Sequence, residues 1–485
     1  AAPESQLYEI SSDREQHYVL LICLKEELTE AITALRASGF TLANLNGAPG
    51  TAKQNIEDAQ QQIADVIRRR EQAETDIAAF APHRDAFKLC IDRASVKLGR
   101  AEAEERLVGT ESVVCMRGWL TAPEEAKLTA VLAKYDCAWD LADPTEDEYP
   151  EVPVKLQNNK FTEPLNMVTN MYSLPAYGTV DPNPLMAPFF ILLYGIMMAD
   201  MGYGLVMMIA ALVALGKMKP KRGSKYFCEL LLACGVSTFL LGIVTGGFFG
   251  NAVPTIVRMF GHDVQLGILT SPLLDPLKDT TTILIGAMVL GFIQLVTGMI
   301  VNMVMECRQG KVGDAIFNEG TWLVLFAGLA LYVLKIGNIA GVPVVLCIGG
   351  LMLLYGSGRE AKGFGKVTAV FGALYNGLTG WFGDILSYSR LMALMLAGSV
   401  IAQVFNTLAA MPSSGGVTVV SMLVFILIFL VGHALNFGLN LLGCFVHDLR
   451  LQCLEFFGKF YVDGGKPFSP LEINTRYVDV ENHNF

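Results

Sequence analysis

Between Val367 and Val446, 80 residues carry only two charges, Asp384 and Arg390. A water-soluble domain needs charged surface along so long a stretch, whereas a bilayer interior excludes it. Apolar segments stand at about 185–216, 227–249, 280–305, 320–336, 341–357, 385–411 and 417–447. Most are long enough to cross a hydrocarbon core of about 30 Å. The front of the chain is the opposite: of 82 Asp, Glu, Lys and Arg, 48 lie in residues 1–184 and 34 in the 301 that follow. The net charge of −10 divides into −12 in front and +2 behind, so no basic surface suited to nucleic acid is present.

The ten cysteines show no C-x-x-C pair and no zinc spacing, so neither metal nor other cofactor is expected and the thiols read as small apolar fillers. Residues 1–16 are polar, with no starting Met and no signal-peptide pattern, and the chain is expected to begin inside a longer protein.

In the front, HYVLLIC at 17–23 reads as a buried strand, followed by a helix over 25–37 and a short strand near 40–45. A second such unit occupies 112–120 (strand), 123–134 (helix, Thr121 as N-cap) and 137–141 (strand). Two strand-helix-strand units suggest a small ferredoxin-like α/β lobe. Between them, apolar positions step by three and four from Ile56 through Ile63, Ile77, Phe87 and Leu98 to Ala101, the pattern of a coiled coil. Pro82 interrupts it, which predicts a helical hairpin or two arms pairing with segments outside this chain. Such a coil serves as a spacer, a dimerisation element or a rigid strut. No Walker loop, G-x-G-x-x-G or His/Asp/Ser grouping occurs, so nucleotide hydrolysis, if involved, belongs to another chain.

The expected organisation is a cytoplasmic lobe at 1–150 with its coiled-coil arm at about 51–108, a linker at 151–184, a transmembrane domain at 185–461 and a cytoplasmic tail at 462–485. Lys217–Lys225 holds five basic residues, which the positive-inside rule places in the cytoplasm. With a cytoplasmic front, the 32 residues of 185–216 then form a tight hairpin of two short helices turning near Gly202. The fold class is therefore mostly α: a polytopic membrane domain of about eight helices, the last two long and tilted, after the α/β lobe with its coil. Asp200, near the hairpin turn, reads as structural.

An arginine inside a spanning helix calls for a function. Arg390 is one, and Arg450 stands near the cytoplasmic end of the last helix. His433, Asn436, Asn440, Gly443, His447 and Arg450 are spaced +3, +4, +3, +4, +3, so they share one face over about 25 Å at 1.5 Å per residue. Such a stripe either glues helices together or lines a hydrated ion path; six aligned positions ending at an arginine favour the path.

The run Gly383-Asp384-Ile385-Leu386-Ser387-Tyr388-Ser389-Arg390-Leu391-Met392-Ala393-Leu394 resembles the penultimate helix of subunit a, also called subunit I, the large membrane stator subunit of V-type and A-type rotary ATPases. Phe445 to Tyr461, with Gly464-Gly465-Lys466-Pro467-Phe468 after it, is similar to the family's last helix. The entry at Pro188-Phe189-Phe190 through Asp200-Met201-Gly202-Tyr203-Gly204 is similar too. The resemblance implies that Arg390 is the stator arginine and Arg450 a supporting one, facing a ring of proteolipid (c/K) subunits with one mid-membrane carboxylate each. It implies two half-channels for H⁺ or Na⁺, with Ser387, Gln403, Asn406 and Glu455 as polar neighbours, and no nucleotide site on this chain. The implied partners are that ring, peripheral stalk subunits of the E/G type, a central-stalk adaptor and the lipid of a bacterial or archaeal plasma membrane, with both termini cytoplasmic. The family's N-terminal portion, absent here, would supply partners for the coil. Where eukaryotic members carry a His eight residues after the arginine and a Glu ten before the second, this chain has Gly398 and Asn440. The alternative reading is a self-contained secondary ion transporter with a cytosolic coiled-coil regulatory domain; it requires an internal repeat, and no second copy of the Gly-interrupted segment near 202 occurs.

Overall fold

The computed structural model describes residues 5–12, 16–42, 50–218, 220, 223–261, 267, 272–335, 338–339, 342–358, 365–413, 416–470 and 475–478. It divides into two compact units, residues 1–116 with 471–485, and residues 117–470.

In the first unit, β1 (Gln6–Ser12) pairs antiparallel with β2 (His17–Ile22), Gln6 opposite Ile22 and Ser12 opposite His17, with a bulge between Glu9 and Ser11. Both strands are largely exposed, so HYVLLI is an open hairpin strand and not the buried one expected. Helix α1 (Leu28–Ala37) follows. The coil starts at α2 (Ala52–Ala79), where Thr51 and Gln54 form a reciprocal capping box that supplies the first turn with hydrogen-bond partners. Pro82 sits in a 3₁₀ turn at Ala81–His83, and α3 (Arg84–Glu105) continues from it. The two helices do not pack along one another. Their seam stays open, with Ile63 and Leu98 about 60% exposed. The helical hairpin expected as one arrangement is therefore not packed among the described residues. Short strands β3 (Val108–Gly109) and β4 (Val114–Cys115) form a separate hairpin.

The C-terminal residues belong to this unit. Asp92 of α3 is 3% exposed and accepts from three successive backbone N–H groups, Arg476 at 2.9 Å, Tyr477 at 2.9 Å and Val478 at 2.8 Å. Burial works against the charged carboxylate, but these three donors outweigh it and hold its pKa below the ordinary value.

The ferredoxin-like lobe is not assembled among the described residues. The strand expected at 112–120 shrinks to Val114–Cys115, and 137–141 carries no strand. The strand expected near 40–45 lies partly outside the described residues, and 40–42 are irregular. The expected helix at 123–134 is present as a 3₁₀ turn followed by α4 (Glu125–Leu132).

The second unit continues with β5 (Pro153–Val154), α5 (Asn166–Tyr172) and β6 (Leu174–Pro175). Then come α6 (Asn183–Met198), α7 (Met201–Val213), extended by a π turn to Met218, and α8 (Gly223–Thr245). Short α9 (Ala252–Met259) precedes α10 (Thr280–Arg308). One turn, α11 (Val312–Asp314), and a π turn lead into α12 (Thr321–Val333). After the small pair β7 (Asn338–Ile339) and β8 (Val342–Pro343) come α13 (Val344–Gly358), α14 (Gly365–Ser387), α15 (Ser389–Ala410) and α16 (Val419–Arg450). A π turn at Leu451–Phe456 and a 3₁₀ turn end the last helix. Strand β9 (Asp463–Pro467) then lies between β5 and β6, parallel to the first and antiparallel to the second. The linker and the chain end thus share one sheet. A side chain at Gly465 would collide with the Pro175 carbonyl, which is why this strand needs glycine there.

Among the described residues, six helical stretches are long and apolar enough to cross a membrane: 201–218, 223–245, 280–308, 312–333, 370–413 and 419–459; two shorter apolar helices span 183–198 and 344–356. The last two long ones have 44 and 41 residues. At 1.5 Å per residue the second would run about 60 Å, so it must tilt or project beyond the hydrocarbon, whereas the first is interrupted at Tyr388 between α14 and α15.

The chain reverses at Ala199–Asp200 (φ of Ala199 +22°), two residues before the expected turn. Helix α8 packs on both legs: Gly195 meets Ser237 and Leu241, Gly242 meets Met201, and Gly204 meets Phe239. Contacts rise together along α6 and α8 and run oppositely along α7, so the legs are antiparallel with α8 seated against both. Glycines at each crossing permit this approach, since in a bilayer close packing is the main attraction between helices. The core beneath is built from Phe190, Leu193, Met197, Met207, Leu295, Met299, Tyr388, Leu391 and Phe456.

Candidate functional site

At the end of the bundle where α6 turns into α7, a polar network ties four segments together. Asp200 caps α7 by accepting from the N–H of Gly202 (2.8 Å) and Tyr203 (3.1 Å), and it also accepts from Phe249 (3.0 Å) and Gly250 (2.6 Å). These bonds hold the loop after α8, where Phe249 has φ +47°. Asn406 of α15 donates to the Phe249 carbonyl at 2.8 Å and to Asn251 Oδ1 at 3.0 Å. Its Oδ1 is therefore the acceptor for His433 Nε2 at 2.9 Å, which assigns the ring proton to Nε2. His433 Nδ1 then accepts from Tyr203 Oη at 2.7 Å, and Tyr203 Oη accepts from Asn436 Nδ2 at 2.9 Å. Asn436 also reaches the Gly398 carbonyl, and Asn440 donates to Asn436. Neutral His433 thus uses both ring nitrogens within the network.

A cavity of about 140 Å³ opens beside the network, with Asp200, Tyr203, Asp275, Ser399, Gln403 and Asn440 on its wall. It descends to Gly398 and Met395. Met395 is five residues beyond Arg390, about 7.5 Å along the helix. A Cβ at Gly398 would stand 2.9 Å from Asn440 Oδ1. The two positions at which the eukaryotic pattern differs therefore face each other, and a small residue at one accompanies an amide at the other.

The other end differs. Arg390 opens α15 immediately after the break at Tyr388; it is half-buried, and its Nη1 is buried without a partner among the described residues. His447 Nδ1, Asp448 Oδ2 and Glu455 Oε2 are likewise buried and unpartnered. Arg450 is exposed at the end of α16. Arg390 lies within electrostatic range of Arg450 and Glu455, and His447 within range of both arginines. Ser387 donates to the Gly383 carbonyl at 3.1 Å. Nearby, Lys459 bridges Asp384 at 2.6 Å, sits 4.3 Å above the Trp381 ring, and lines a second cavity of about 350 Å³ with Glu319 and Thr321.

The expected site residues thus fall into two groups. Arg390, His447, Arg450 and Glu455 gather at one end, while His433 and Asn436 are locked in the network with Asn440 at its margin. Gln403 lines the first cavity, and Ser387 lies one turn before Arg390. Sequence reasoning passed over Tyr203, Gln294, Tyr388, Asp448 and Gln452, because isolated polar residues on different helices show no periodicity. No grouping of His, Cys, Asp and Glu able to hold a metal occurs among the described residues.

Comparison with known proteins shows the family. The model of the V-type ATPase 116kDa subunit family matches residues 14–235 and 381–473, the second stretch containing both arginines. The A-type ATP synthase subunit I of Methanocaldococcus jannaschii is 31% identical over 95% of this chain and 70% of its own length. The subunit I of Pyrococcus horikoshii is 32% identical over 77% of this chain and 56% of its own length. The V-type ATP synthase subunit I of Borreliella burgdorferi is 26% identical over 70% and 56%. The chain thus spans between about half and 70% of the length of these relatives. It is a membrane protein of the V-type ATPase 116 kDa subunit family, matching subunit I of A/V-type ATP synthases.

Proposed function

We propose that this chain is the stator of a rotary ATPase, forming two ion half-channels against a ring of proteolipids and coupling H⁺ or Na⁺ movement to ATP hydrolysis or synthesis on other subunits. One observation carries the reading: a guanidinium within an apolar stretch of membrane-spanning length, its Nη1 buried and without a partner among the described residues. An uncompensated buried cation is costly, and a carboxylate from another chain is the natural complement. A guanidinium stays protonated, favours the ionised form of that carboxylate, and so makes each passing ring site release its ion.

In this reading the 140 Å³ cavity with Asp275, Ser399, Gln403 and Asn440 is one half-channel, ending above Arg390. The other leads past Glu455 and His447, with the Asp384–Lys459 pair and Glu319 at its mouth. The polar stripe of α16 divides near Asn440: His433 and Asn436 hold helices together, and His447 and Arg450 face the path. Eight crossings result if the two short apolar helices span with the six long ones, with both termini cytoplasmic in a bacterial or archaeal plasma membrane. The charged front then links to peripheral stalk subunits of the E/G type and to the central-stalk adaptor, resisting torque.

The test is Arg390→Ala in the assembled complex. ATP-driven ion transport should vanish while the complex still assembles, and near-normal transport would refute the reading.

A further inference from the structure

Tyr388 occupies the break between α14 and α15, two residues before Arg390, and is fully buried. Its ring lies on α10 at Gly291, where an added Cβ would collide with the ring. Its O–H donates to Gln294 Oε1 at 3.1 Å, one turn further along α10. Gln294 Nε2 donates to Gln452 Oε1 at 2.6 Å, and Gln452 Nε2 donates to Asp448 Oδ1 at 3.2 Å. All four side chains are completely buried. Asp448 and Gln452 stand two residues before and two residues after Arg450.

The chain Tyr388, Gln294, Gln452, Asp448 therefore starts beside one arginine, crosses α10 and ends bracketing the other. Every donor points the same way and the series terminates on a carboxylate, an orientation in which each hydrogen bond polarises the next. Two of its links are carboxamides, which pass a proton only through a disfavoured imidic acid. The series is thus a poor proton wire and a good strut. Its Gln452 stands in the first residues of the π turn at Leu451–Phe456, where the backbone hydrogen-bond pattern of α16 changes.

We infer that Tyr388, Gln294, Gln452 and Asp448 are positioning residues that hold Arg390 and Arg450 at a set separation across α15 and α16. The inference rests on the stator reading. A ring carboxylate pulls on Arg390 at every step, and a guanidinium that follows it would open a leak between the two half-channels. The strut resists that displacement without touching the ion.

Tyr388→Phe removes one hydroxyl and leaves the ring on Gly291; Gln452→Leu removes the middle of the series. Each assembled complex is assayed for ions moved per ATP hydrolysed, a ratio that lowered abundance alone does not alter. Each single variant should lower the ratio severalfold, and the double variant should be no worse than the worse single, because a strut cut twice is no looser than one cut once. Unchanged ratios in both singles, or losses that multiply in the double, would overturn the inference. If Gln452→Leu does not assemble, Tyr388→Phe decides alone. Arg390→Ala run in parallel separates the readings: normal transport in that variant sinks the stator, whereas its inactivity beside fully coupled Tyr388→Phe sinks only the strut.

Discussion

The two ends of the membrane bundle are both polar within apolar helices, yet they keep different hydrogen-bond accounts. Where α6 turns into α7, Asp200 accepts from four backbone N–H groups and His433 uses both ring nitrogens. At the arginine end, Arg390, His447, Asp448 and Glu455 each retain a buried atom with no partner among the described residues. Buried polar atoms are almost always paired, so the first end is what a well-packed membrane protein does with polar side chains. On the stator reading the orphaned guanidinium of Arg390 takes its partner from another chain, whereas Asp448 is fully buried and acts inside the bundle. Single orphans occur elsewhere, at Thr238, Glu306 and Ser413; what sets the arginine end apart is that four gather there.

The sharpest way to break this contrast is at Arg390. Arg390→Lys keeps the charge but loses the planar fork, and transport should fall by about tenfold or more. Full activity would mean that a point charge suffices and that the orphaned Nη1 is incidental. Arg450→Ala should act more mildly, lowering coupled transport without abolishing it, since Arg450 is exposed and its removal strands no buried partner.

At the satisfied end the expected loss is of stability. His433→Leu leaves Tyr203 Oη and Asn406 Oδ1 without one partner each, at about 1–3 kcal/mol per stranded group. Thermal unfolding of the purified complex should shift down while ions moved per ATP stay unchanged in what assembles. Lost coupling with undiminished stability would place the path through this network. Gly398→Ala should destabilise by about 1–3 kcal/mol, because its methyl would press on Asn440, and Asn440→Ala should relieve most of that cost. Additive losses would show that the two positions do not share the space.

The smallest effect concerns a satisfied carboxylate outside the membrane. The pKa of Asp92 is depressed in the folded chain, so its hold on the tail is fully present above the ordinary value of 3.8 and is lost as pH falls through the depressed one. Asp92→Ala should raise hydrogen exchange at the amides of residues 476–478 at neutral pH, and acidification of the unaltered protein should do the same after correction for intrinsic exchange. Protection unchanged by the substitution would mean that the tail is held by something else.

Much of this was legible along the chain, and the reasons are local. Bilayer thickness makes apolar length a direct reading of crossings, and the cost of charge in hydrocarbon makes Arg390 conspicuous among 80 residues. Helical periodicity placed His433 through Arg450 on one face, and the coil stepped clearly past Pro82. The ferredoxin-like lobe failed because short runs such as 137–141 carry only weak strand preference, which tertiary context overrides. Spacing shows which residues of the stripe share a face and not what lies opposite each of them.

By itself, then, the sequence determined the charged front, the membrane-spanning remainder, the reversal near Asp200 and the two arginines, since each follows from chain-local costs of burial and charge. Only the tertiary structure decided that His433 bonds Tyr203 and Asn406, that Gly398 faces Asn440, and that Tyr388 joins Asp448 through two glutamines. These pairings join residues up to 230 positions apart, as between Tyr203 and His433, and a hydrogen bond depends on where its partner stands in space.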